Sequence, residues 1–283
     1  MKKVVIIGVG LMGGSLGMAL RKAKSRSKKC YSVLGIGRNI KSLRLAKKKG
    51  AVDDYSTDIK DIAGADIVVI CCPVDMIVQT YKLTAQYVSK KTVITDIGSV
   101  KLSIDSQIQK LIKKNNNYPC FVGCHPMAGN EKNGIKFADE NLYAKSYVVI
   151  TSLKKDAKTM IVSKMWRDVK SSIIYMTAEE HDKIVAFTSH LPHIIAFNFY
   201  NLFLAKNKRN NKIRNITAGS FSSLTRVAES SPNIWLPIFL NNKKNLRILA
   251  DEFCAQMKFF VKQFDNEKSL KKMLSKSVKN ENQ

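Results

Sequence analysis

The segment VGCHPMAGNEKNG, residues 122–134, places an imidazole in a stretch rich in glycine, proline and asparagine, the residue types that favour loops. Imidazole titrates close to neutral pH, so His125 can act as a general base towards a hydroxyl group. The chain has 4 histidines, and two others, His190 and His193, lie three residues apart in an apolar helical segment. They share one face of that helix, where a histidine either packs in the core or lines a pocket.

The glycine pattern GVGLMG near the N-terminus is a second candidate for ligand binding. Gly8, Gly10 and Gly13 follow the β-branched run KKVVII and precede a segment with helical spacing. In a dinucleotide site the first glycine permits a tight turn, the second lets the backbone approach a pyrophosphate, and the third lets helix and strand pack closely. The sequence therefore predicts a dinucleotide site. The predicted cofactor-binding set is completed by Leu11, Met12 and Pro73.

The residues after the second predicted strand indicate which dinucleotide binds. An Asp or Glu there accepts hydrogen bonds from the ribose 2′-hydroxyl of NAD, whereas an arginine accommodates the 2′-phosphate of NADP. The sequence GIGRN has Gly37 in the position of the acid and Arg38 after it. A guanidinium can bind a phosphate through two hydrogen bonds, so the interpretation favours NADP+. Arg38 as a solvated surface charge is the alternative.

A third group of candidates lies in AGSFSSLTRVAESSPNIWLPIF, residues 218–239, a polar and helix-breaking segment. Arg226 is a candidate for binding a substrate carboxylate, because a planar guanidinium matches a carboxylate in a way that a point charge cannot. Trp235 follows in the same segment. A surface arginine without a ligand is the alternative interpretation.

Strands alternate with helices along the first half of the chain, which predicts a parallel sheet covered on both faces. We expect an α/β fold with a Rossmann-type dinucleotide-binding domain over residues 1–152. Residues 153–283 are helical in pattern apart from SSIIYM, and they predict an all-α substrate and dimerisation domain. There, Thr177 and Glu180 form a capping box before a long apolar helix. An apolar face from Leu246 to Phe264 is expected to pack in a homodimer, with core packing in one subunit as the alternative.

The net charge of +26 raises the question of a nucleic-acid partner. The lysines are spread along the whole chain in small groups without interleaved aromatic residues, so no nucleic-acid partner is expected.

Apolar runs such as Ile67–Cys72 are too short to span a membrane. The protein is therefore expected to be cytoplasmic, with no membrane partner.

Two of the 6 cysteines, Cys120 and Cys124, lie close to His125 in the sequence, which raises the question of a zinc site. The sequence has no CxxC pair and no second cluster of ligands. The expectation is therefore that the thiols are reduced and that no metal is bound.

Several segments together resemble the prephenate/arogenate dehydrogenase family of tyrosine biosynthesis. They are GVGLMGGSLGMAL (8–20), TDIGSVK (95–101), GCHPMAGNEKNG (123–134), SHLPHIIAF (189–197) and TRVAESSPNIWLPIF (225–239). The resemblance implies a nucleotide-binding domain joined to a helical domain that forms the dimer. It also implies oxidation of prephenate to 4-hydroxyphenylpyruvate, or of arogenate to tyrosine, with loss of CO2. No mutase or regulatory domain is expected in 283 residues, so any inhibition by tyrosine would act at the active site.

The resemblance also assigns roles to individual residues. His125 would accept the proton of the substrate's ring 4-hydroxyl group while hydride leaves the same carbon, and Ser99 would orient this exchange. The remaining matched positions are the substrate-binding residues Arg226, His193, Trp235 and Glu131, of which Arg226 would bind the ring carboxylate and Glu131 would lie at the pocket mouth. His190 is expected to be more structural.

Two other functions remain as alternatives. A β-hydroxyacid dehydrogenase shares the glycine loop and a helical second domain, but it is expected to carry a catalytic lysine on the helix that here reads SHLPHIIAFNF. There is no lysine between Lys183 and Lys206. An NAD(P)-sensing regulator would explain the first domain and the charge, but not His125, Ser99 and Arg226 together. The choice between prephenate and arogenate stays open at this point.

Overall fold

A computed structural model describes residues 1–25, 28–129 and 132–279. The strands are β1 (Lys2–Ile7), β2 (Lys24–Ser25), β3 (Lys28–Lys29), β4 (Tyr31–Ile36), β5 (Asp54–Ser56), β6 (Ile67–Ile70), β7 (Val93–Asp96), β8 (Cys120–Val122), β9 (Cys124–Pro126), β10 (Tyr147–Ile150) and β11 (Ser172–Tyr175). The helices are α1 (Leu11–Lys22), α2 (Ile40–Lys48), α3 (Ile77–Thr84), α4 (Leu102–Lys114), α5 (Ala157–Asp168), α6 (Ala178–Val185), α7 (Leu191–Arg209), α8 (Lys212–Asn215), α9 (Gly219–Thr225), α10 (Pro232–Asn241), α11 (Lys243–Val261) and α12 (Glu267–Lys279).

The main sheet has six parallel strands in the order β5-β4-β1-β6-β7-β8. Numbered by appearance within the sheet, this is the 3-2-1-4-5-6 order of dinucleotide-binding folds. The paired central strands β1 and β6 contain runs of Val and Ile that are mostly buried, as expected when helices cover both faces. The predicted fold class is confirmed. In such a sheet, ligands bind at the edge formed by the carboxyl ends of the strands.

A second sheet contains β11, β10 and β9, with β10 antiparallel to β9 and parallel to β11. The predicted boundary between residues 152 and 153 separates β10 from β11, which pair along residues 147–150 and 172–175. We propose from this pairing that residues 153–175 belong with the first part of the chain and that the boundary lies at Met176. The sequence analysis excluded SSIIYM from the helical pattern, but it did not predict that this segment pairs with β10, which is distant in sequence.

The helical part begins as the sequence predicts. The Thr177 hydroxyl accepts a hydrogen bond from the backbone N–H of Glu180 at 3.1 Å, which caps α6. The long apolar helix is not continuous, however, because a π-helical turn covers Ala186–His190 before α7 begins. Such turns are frequent at functional sites, and this one precedes His193.

Helix α10 joins the helical part to the main sheet. The buried Ile238 belongs to the same apolar core as Val5, Val68 and Ile94 of the sheet, and Trp235 packs against that core. Helix α10 also contacts the 3-10 turn Val74–Met76, which follows the carboxyl end of β6. The helical part therefore lies near the sheet edge at which ligands bind in this type of fold.

Several large apolar side chains of the helical part are exposed. On α7, α10 and α11 they include Leu202, Leu204, Leu236, Leu240, Ile248, Phe259 and Val261. Exposed apolar patches of this kind mark interaction surfaces. Within the described ranges, no helix is both long enough and apolar enough to cross a membrane.

Candidate active site

The loop between β1 and α1 has the backbone shape that the glycine pattern predicts. Gly8 has φ +96°, and a Cβ there would lie 2.5 Å from the carbonyl oxygen of Cys71. A Cβ on Gly13 would lie 2.2 Å from the carbonyl oxygen of Gly8, so close packing of α1 needs glycine. Among the described residues, nothing lies within 4 Å of a Cβ built on Gly10. The loop thus leaves room for a diphosphate to approach its backbone.

The start of α1 can bind an anion. Gly10 caps the helix without a side-chain hydrogen bond, so the N–H groups of the first turn are available to a phosphate. Leu11 is buried, and the carbonyl oxygen of Met12 accepts a hydrogen bond from the Tyr143 hydroxyl at 2.9 Å. The predicted residue Pro73 is exposed beyond the carboxyl end of β6. These residues fit a dinucleotide.

The end of β4 presents Arg38 to solvent. Gly37 follows the strand directly, and the next residue after Arg38 is Asn39. Asn39 caps α2, because its Oδ1 accepts a hydrogen bond from the backbone N–H of Ser42 at 3.1 Å. The Asn39 side chain is therefore committed to the helix, and Arg38 is the charged side chain at this strand end.

His125 lies on β9 and contacts another histidine that the sequence analysis did not select. Its Nδ1 lies 2.8 Å from Nε2 of His181, and the two rings meet edge to face with centroids 5.0 Å apart. His181 Nδ1 in turn lies 2.8 Å from Oδ1 of Asp182. His125 is half-buried, whereas His181 and Asp182 are almost completely buried. The structure thus builds an Asp–His–His chain that ends at the predicted base.

Asp182 is held at the start of α4. Its Oδ1 accepts a hydrogen bond from the backbone N–H of Lys101 at 2.8 Å, and its Oδ2 accepts one from Leu102 at 3.0 Å. A helix N-terminus stabilises a negative charge. The carboxylate therefore connects α6 to α4.

A buried ion pair fixes the backbone next to His125. The Lys101 ammonium pairs with Asp96, and both side chains are fully buried. Lys101 Nζ donates to the carbonyl oxygen of Cys124 at 2.8 Å, and Asp96 Oδ1 accepts from the Cys124 backbone N–H at 3.0 Å. Cys124 precedes His125, so this pair positions the strand that carries the base.

The surroundings keep His125 neutral. Burial lowers the pKa of its imidazole well below the ordinary histidine value, and the nearby His181, Lys101 and His190 lower it further. Burial disfavours a charged imidazole, and a nearby cation such as the Lys101 ammonium adds to the effect. At neutral pH the ring is thus unprotonated, as a general base must be.

Ser99 lies in the loop between β7 and α4, two residues before Lys101, and is half-buried. It therefore belongs to the same loop as the ion pair beneath His125. Its role in orienting the reaction stays a prediction.

His193 and Trp235 come together as stacked rings, with centroids 3.5 Å apart and planes 25° apart. His193 Nδ1 lies 2.9 Å from the carbonyl oxygen of Ser189, which can only accept, so Nδ1 carries the proton and Nε2 is an acceptor. Burial lowers the pKa of His193, and the charge of Arg226 contributes to the shift. Arg226 also lines an open cleft of about 650 Å³ with Arg214. His193 and Trp235 are thus in direct contact, and Arg226 lies on a 3-10 turn, Arg226–Glu229, that packs against α7, although neither ring lines the cleft that Arg226 lines.

His190 is completely buried and belongs to the packing of the helical part. The side-chain amide of Asn242 donates to its Nδ1 at 3.1 Å and also to the carbonyl oxygen of Asp182 at 2.8 Å. The proton of the neutral ring therefore lies on Nε2, which has no hydrogen-bond partner in the part of the chain that is described. Burial lowers the pKa of His190 to about 4. Its structural role stays a prediction.

Two further predictions concern Glu131 and the possible metal ligands Cys120 and Cys124. Glu131 lies outside the described residues. Cys120 and Cys124 are free thiols, and burial raises the pKa of both. Over the described ranges, no group of three His, Cys, Asp or Glu side chains is arranged to hold a metal ion.

Sequence reasoning missed four residues of the site: Asp96, Lys101, His181 and Asp182. His181 and Asp182 form a His–Asp dipeptide directly after Glu180, in a helix that was assigned only by its cap and apolar spacing. A carboxylate beside an imidazole near the start of a buried helix was the available signal. Its importance depends on the distant His125.

Two family models match the chain. The nucleotide-binding domain of prephenate dehydrogenase matches residues 17–175, and the dimerization domain of prephenate dehydrogenase matches residues 177–276. They adjoin at Met176, where the mixed structure gives way to helices.

Curated relatives match most of the chain. Prephenate dehydrogenase of Lactococcus lactis is 31% identical over 86% of this chain and 65% of its own length. Prephenate dehydrogenase of Bacillus subtilis is 28% identical over 93% of this chain and 71% of its own length. Cyclohexadienyl dehydrogenase of Zymomonas mobilis is 32% identical over 91% of this chain and 86% of its own length. The chain thus spans just under two thirds of the Lactococcus protein.

Solved structures have the same architecture. A prephenate dehydrogenase from A. aeolicus, in complex with hydroxyphenyl propionate and NAD+, has a TM-score of 0.89 and 30% identity over 100% of this chain and 97% of that one. An arogenate dehydrogenase from Synechocystis shares the fold, with a TM-score of 0.81 and 23% identity over 99% of each chain. The chain belongs to the prephenate dehydrogenase family.

Proposed function

We propose that this chain oxidises and decarboxylates prephenate, or arogenate, with a nicotinamide dinucleotide as the oxidant, in tyrosine biosynthesis. The observation that carries the proposal is that the segment after His125 approaches the first turn of α1, at the dinucleotide site. A Cβ on Gly129, four residues after His125, would lie 3.8 Å from the sulfur of Met12. Removal of a hydroxyl proton together with hydride transfer needs a base and a cofactor site at the same place.

His125 has the central chemical role. Its Nε2 accepts the proton of the substrate's ring 4-hydroxyl group while hydride leaves the same carbon and the C–O bond becomes C=O. The bound dinucleotide supplies the hydride acceptor. As CO2 leaves the opposite ring carbon, the electrons of the broken C–C bond make the ring aromatic, and His125 returns its proton to the ring oxygen. The base is thereby regenerated without net uptake of a proton.

The other predicted residues bind and orient the substrate in this proposal. Arg226 pairs with the ring carboxylate, and the stacked His193 and Trp235 line the substrate pocket. Ser99 orients the hydroxyl group towards His125. Glu131 is assigned to the pocket mouth by resemblance alone. The proposal is supported by the stacking of His193 on Trp235 and by the packing of the turn that begins at Arg226 against α7, the helix that carries His193.

The glycine loop and the start of α1 would hold the cofactor's diphosphate, and Arg38 would bind a 2′-phosphate. We propose NADP+ as the preferred cofactor, because Gly37 removes the acid that repels a phosphate and Arg38 is exposed beside it. The A. aeolicus structure contains NAD+. NAD(P)+ as the cofactor class thus has support from both the fold and a relative.

We also propose that the protein works as a cytoplasmic homodimer. The exposed apolar side chains of α7, α10 and α11 support an interface between copies, and the second family model describes a dimerization domain. The described cysteines are free thiols, which fits a reducing compartment. Light scattering at micromolar concentration tests the dimer, and a monomer would contradict it.

The direct test of the function uses purified protein with prephenate and with arogenate, each with NAD+ and with NADP+. We expect reduced nicotinamide, followed by absorbance, to form together with an equal amount of CO2. Reduction without release of CO2 would indicate another dehydrogenase reaction. No reduction with either substrate would overturn the proposal.

A further inference from the structure

We propose that His181 and Asp182 are positioning residues that hold His125 in the tautomer with a proton on Nδ1 and a free lone pair on Nε2. The inference rests on the proposed function, because it concerns the orientation of the base in that reaction. Neither residue acts on the substrate itself. Both act through the ring of His125.

The direction of the hydrogen bonds is set at Asp182. Its two oxygens accept from the backbone N–H groups of Lys101 and Leu102 at the start of α4. This environment suits an ionised carboxylate, which can accept hydrogen bonds but not donate them. His181 Nδ1, 2.8 Å from Asp182 Oδ1, must therefore carry a proton and donate it.

The hydrogen-bond direction at His181 also sets the direction at His125. A neutral imidazole with its proton on Nδ1 has an acceptor at Nε2. Nε2 of His181 lies 2.8 Å from Nδ1 of His125, so His125 donates from Nδ1. Its neutral ring then has no proton on Nε2. This nitrogen is the one that can take a proton from a hydroxyl group.

The other charged or titratable groups around His125 already have partners. Lys101 donates to Asp96 and to the carbonyl oxygen of Cys124. His190, in the π-helical turn, accepts from Asn242 at its Nδ1. His181 is thus the group that meets Nδ1 of His125.

This arrangement has a consequence for the reaction. A histidine without a fixed partner at Nδ1 populates both tautomers, and the Nε2–H form cannot accept the substrate's proton. When His125 does accept the proton, the ring becomes an imidazolium ion, and Asp182 stabilises this charge through His181. The stabilisation arises during the reaction and not in the resting site, which is how an interaction raises turnover.

The arrangement also links two parts of the fold. His125 lies on β9, whereas His181 and Asp182 lie on α6, which contacts α4. The base therefore adopts its reactive tautomer only when α6 is packed against the nucleotide-binding part.

The first test is ¹⁵N NMR of protein labelled in histidine, in which protonated and bare ring nitrogens give distinct signals. The chain has 4 histidines, so single substitutions assign every ring. We expect Nδ1–H and bare Nε2 for both His125 and His181 in the wild-type protein at neutral pH. A proton on Nε2 of His125 would overturn the proposal, and this result is read on the wild-type protein.

The second test separates a positioning role from a merely structural one. His181→Phe keeps a ring of similar size and removes the acceptor. We expect kcat to fall by about 10-fold or more, within the range of general base catalysis, while KM and the cofactor dissociation constant stay within about two-fold. The ¹⁵N spectrum of His125 should change to a mixture of tautomers. Lys183→Gln, on the exposed side of α6, is the matched control and should change none of these quantities.

The outcomes distinguish this inference from the proposed function. An inactive His125→Asn variant together with a fully active His181→Phe variant would overturn the positioning role and leave the base assignment intact. A fully active His125→Asn variant would overturn the proposed function itself. A fall in kcat for His181→Phe without a change in the His125 tautomer would also contradict the positioning role.

Discussion

Lys101 and Asp96 form a completely buried ion pair beneath Cys124, the residue that precedes the proposed base. Lys101 donates to the carbonyl oxygen of Cys124, and Asp96 accepts from its backbone N–H. One pair of opposite charges thus holds both backbone polar groups of the same residue. The position of His125 depends on this contact, although neither charged side chain has a role in the proposed chemistry.

The ion pair leads to a prediction about stability. Lys101→Met leaves Asp96 buried without its counter-charge, so the free energy of unfolding should fall by about 3–5 kcal/mol. Urea denaturation measures this change. The double variant Lys101→Met/Asp96→Asn removes both charges and should lose less stability than the sum of the two single variants. Strict additivity would show that the two side chains do not interact in the folded protein.

The environment of His125 predicts the acid limb of the pH profile. Burial, together with the neighbouring His181, Lys101 and His190, lowers the pKa of His125 well below 6.5. A base must be unprotonated, so activity is lost only as the pH falls through this lowered pKa. kcat/KM should therefore stay constant from about pH 8 down to about pH 6.5 and decline below that range. An acid limb centred above pH 6.5 would contradict the assignment.

The buried carboxyl of Asp105 predicts a loss of stability as the pH rises, which Asp105→Asn should relieve. Burial raises the pKa of its carboxyl to about 7, which Lys101 and the Thr151 hydroxyl offset only in part. Because this value exceeds the ordinary 3.8, the folded state binds the proton more strongly, and stability declines as the pH rises between the two values. Asp105→Asn removes the buried charge. The free energy of unfolding of this variant, relative to wild type, should be higher by roughly 1–3 kcal/mol at about pH 8 than at about pH 5.

Thermal or urea unfolding at the two pH values measures that difference, and Asp58→Asn on the surface is a control for general charge effects. An Asp105→Asn effect that is the same at both pH values would show that the carboxyl is already ionised at the lower one.

Arg38 predicts cofactor preference. Arg38→Ala should weaken NADP+ binding by roughly 1–3 kcal/mol, because it removes a charge-assisted contact to the 2′-phosphate. NAD+ binding should change little. Gly37→Asp should shift preference towards NAD+, and the nearest atoms to a Cβ there belong to the Leu43 side chain, at 3.3 Å. Titration with each cofactor measures both effects. Equal losses for the two cofactors on Arg38→Ala would indicate stacking on the adenine and would refute the NADP+ preference.

The parts of this fold that were predictable from sequence are local in origin. The positive φ of Gly8, the close packing at Gly13 and the cap at Thr177 each follow from residue type and from neighbours a few positions away. The alternation of strands and helices likewise predicts the parallel sheet. His125 was recognised because its loop composition and its motif lie in one short segment.

The missed features depend on distant contacts. His125 and His181 are separated by 56 positions, and Lys101 and Asp182 by 81, so neither hydrogen bond has a sequence period. The π-helical turn at Ala186–His190 follows an apolar pattern that also fits an ordinary α-helix. The pairing of β11 with β10 across a complete helix also has no local sequence signal.

The most direct test of the account is a single-turnover measurement with His125→Asn, prephenate and each cofactor, alongside cofactor titration. We expect the rate of nicotinamide reduction to fall by about 10²–10⁴-fold, because the general base is lost. The cofactor dissociation constant should stay within about two-fold of wild type, because the glycine loop is untouched. An unchanged rate, or a loss of rate explained entirely by weaker cofactor binding, would contradict the role of His125 as the base.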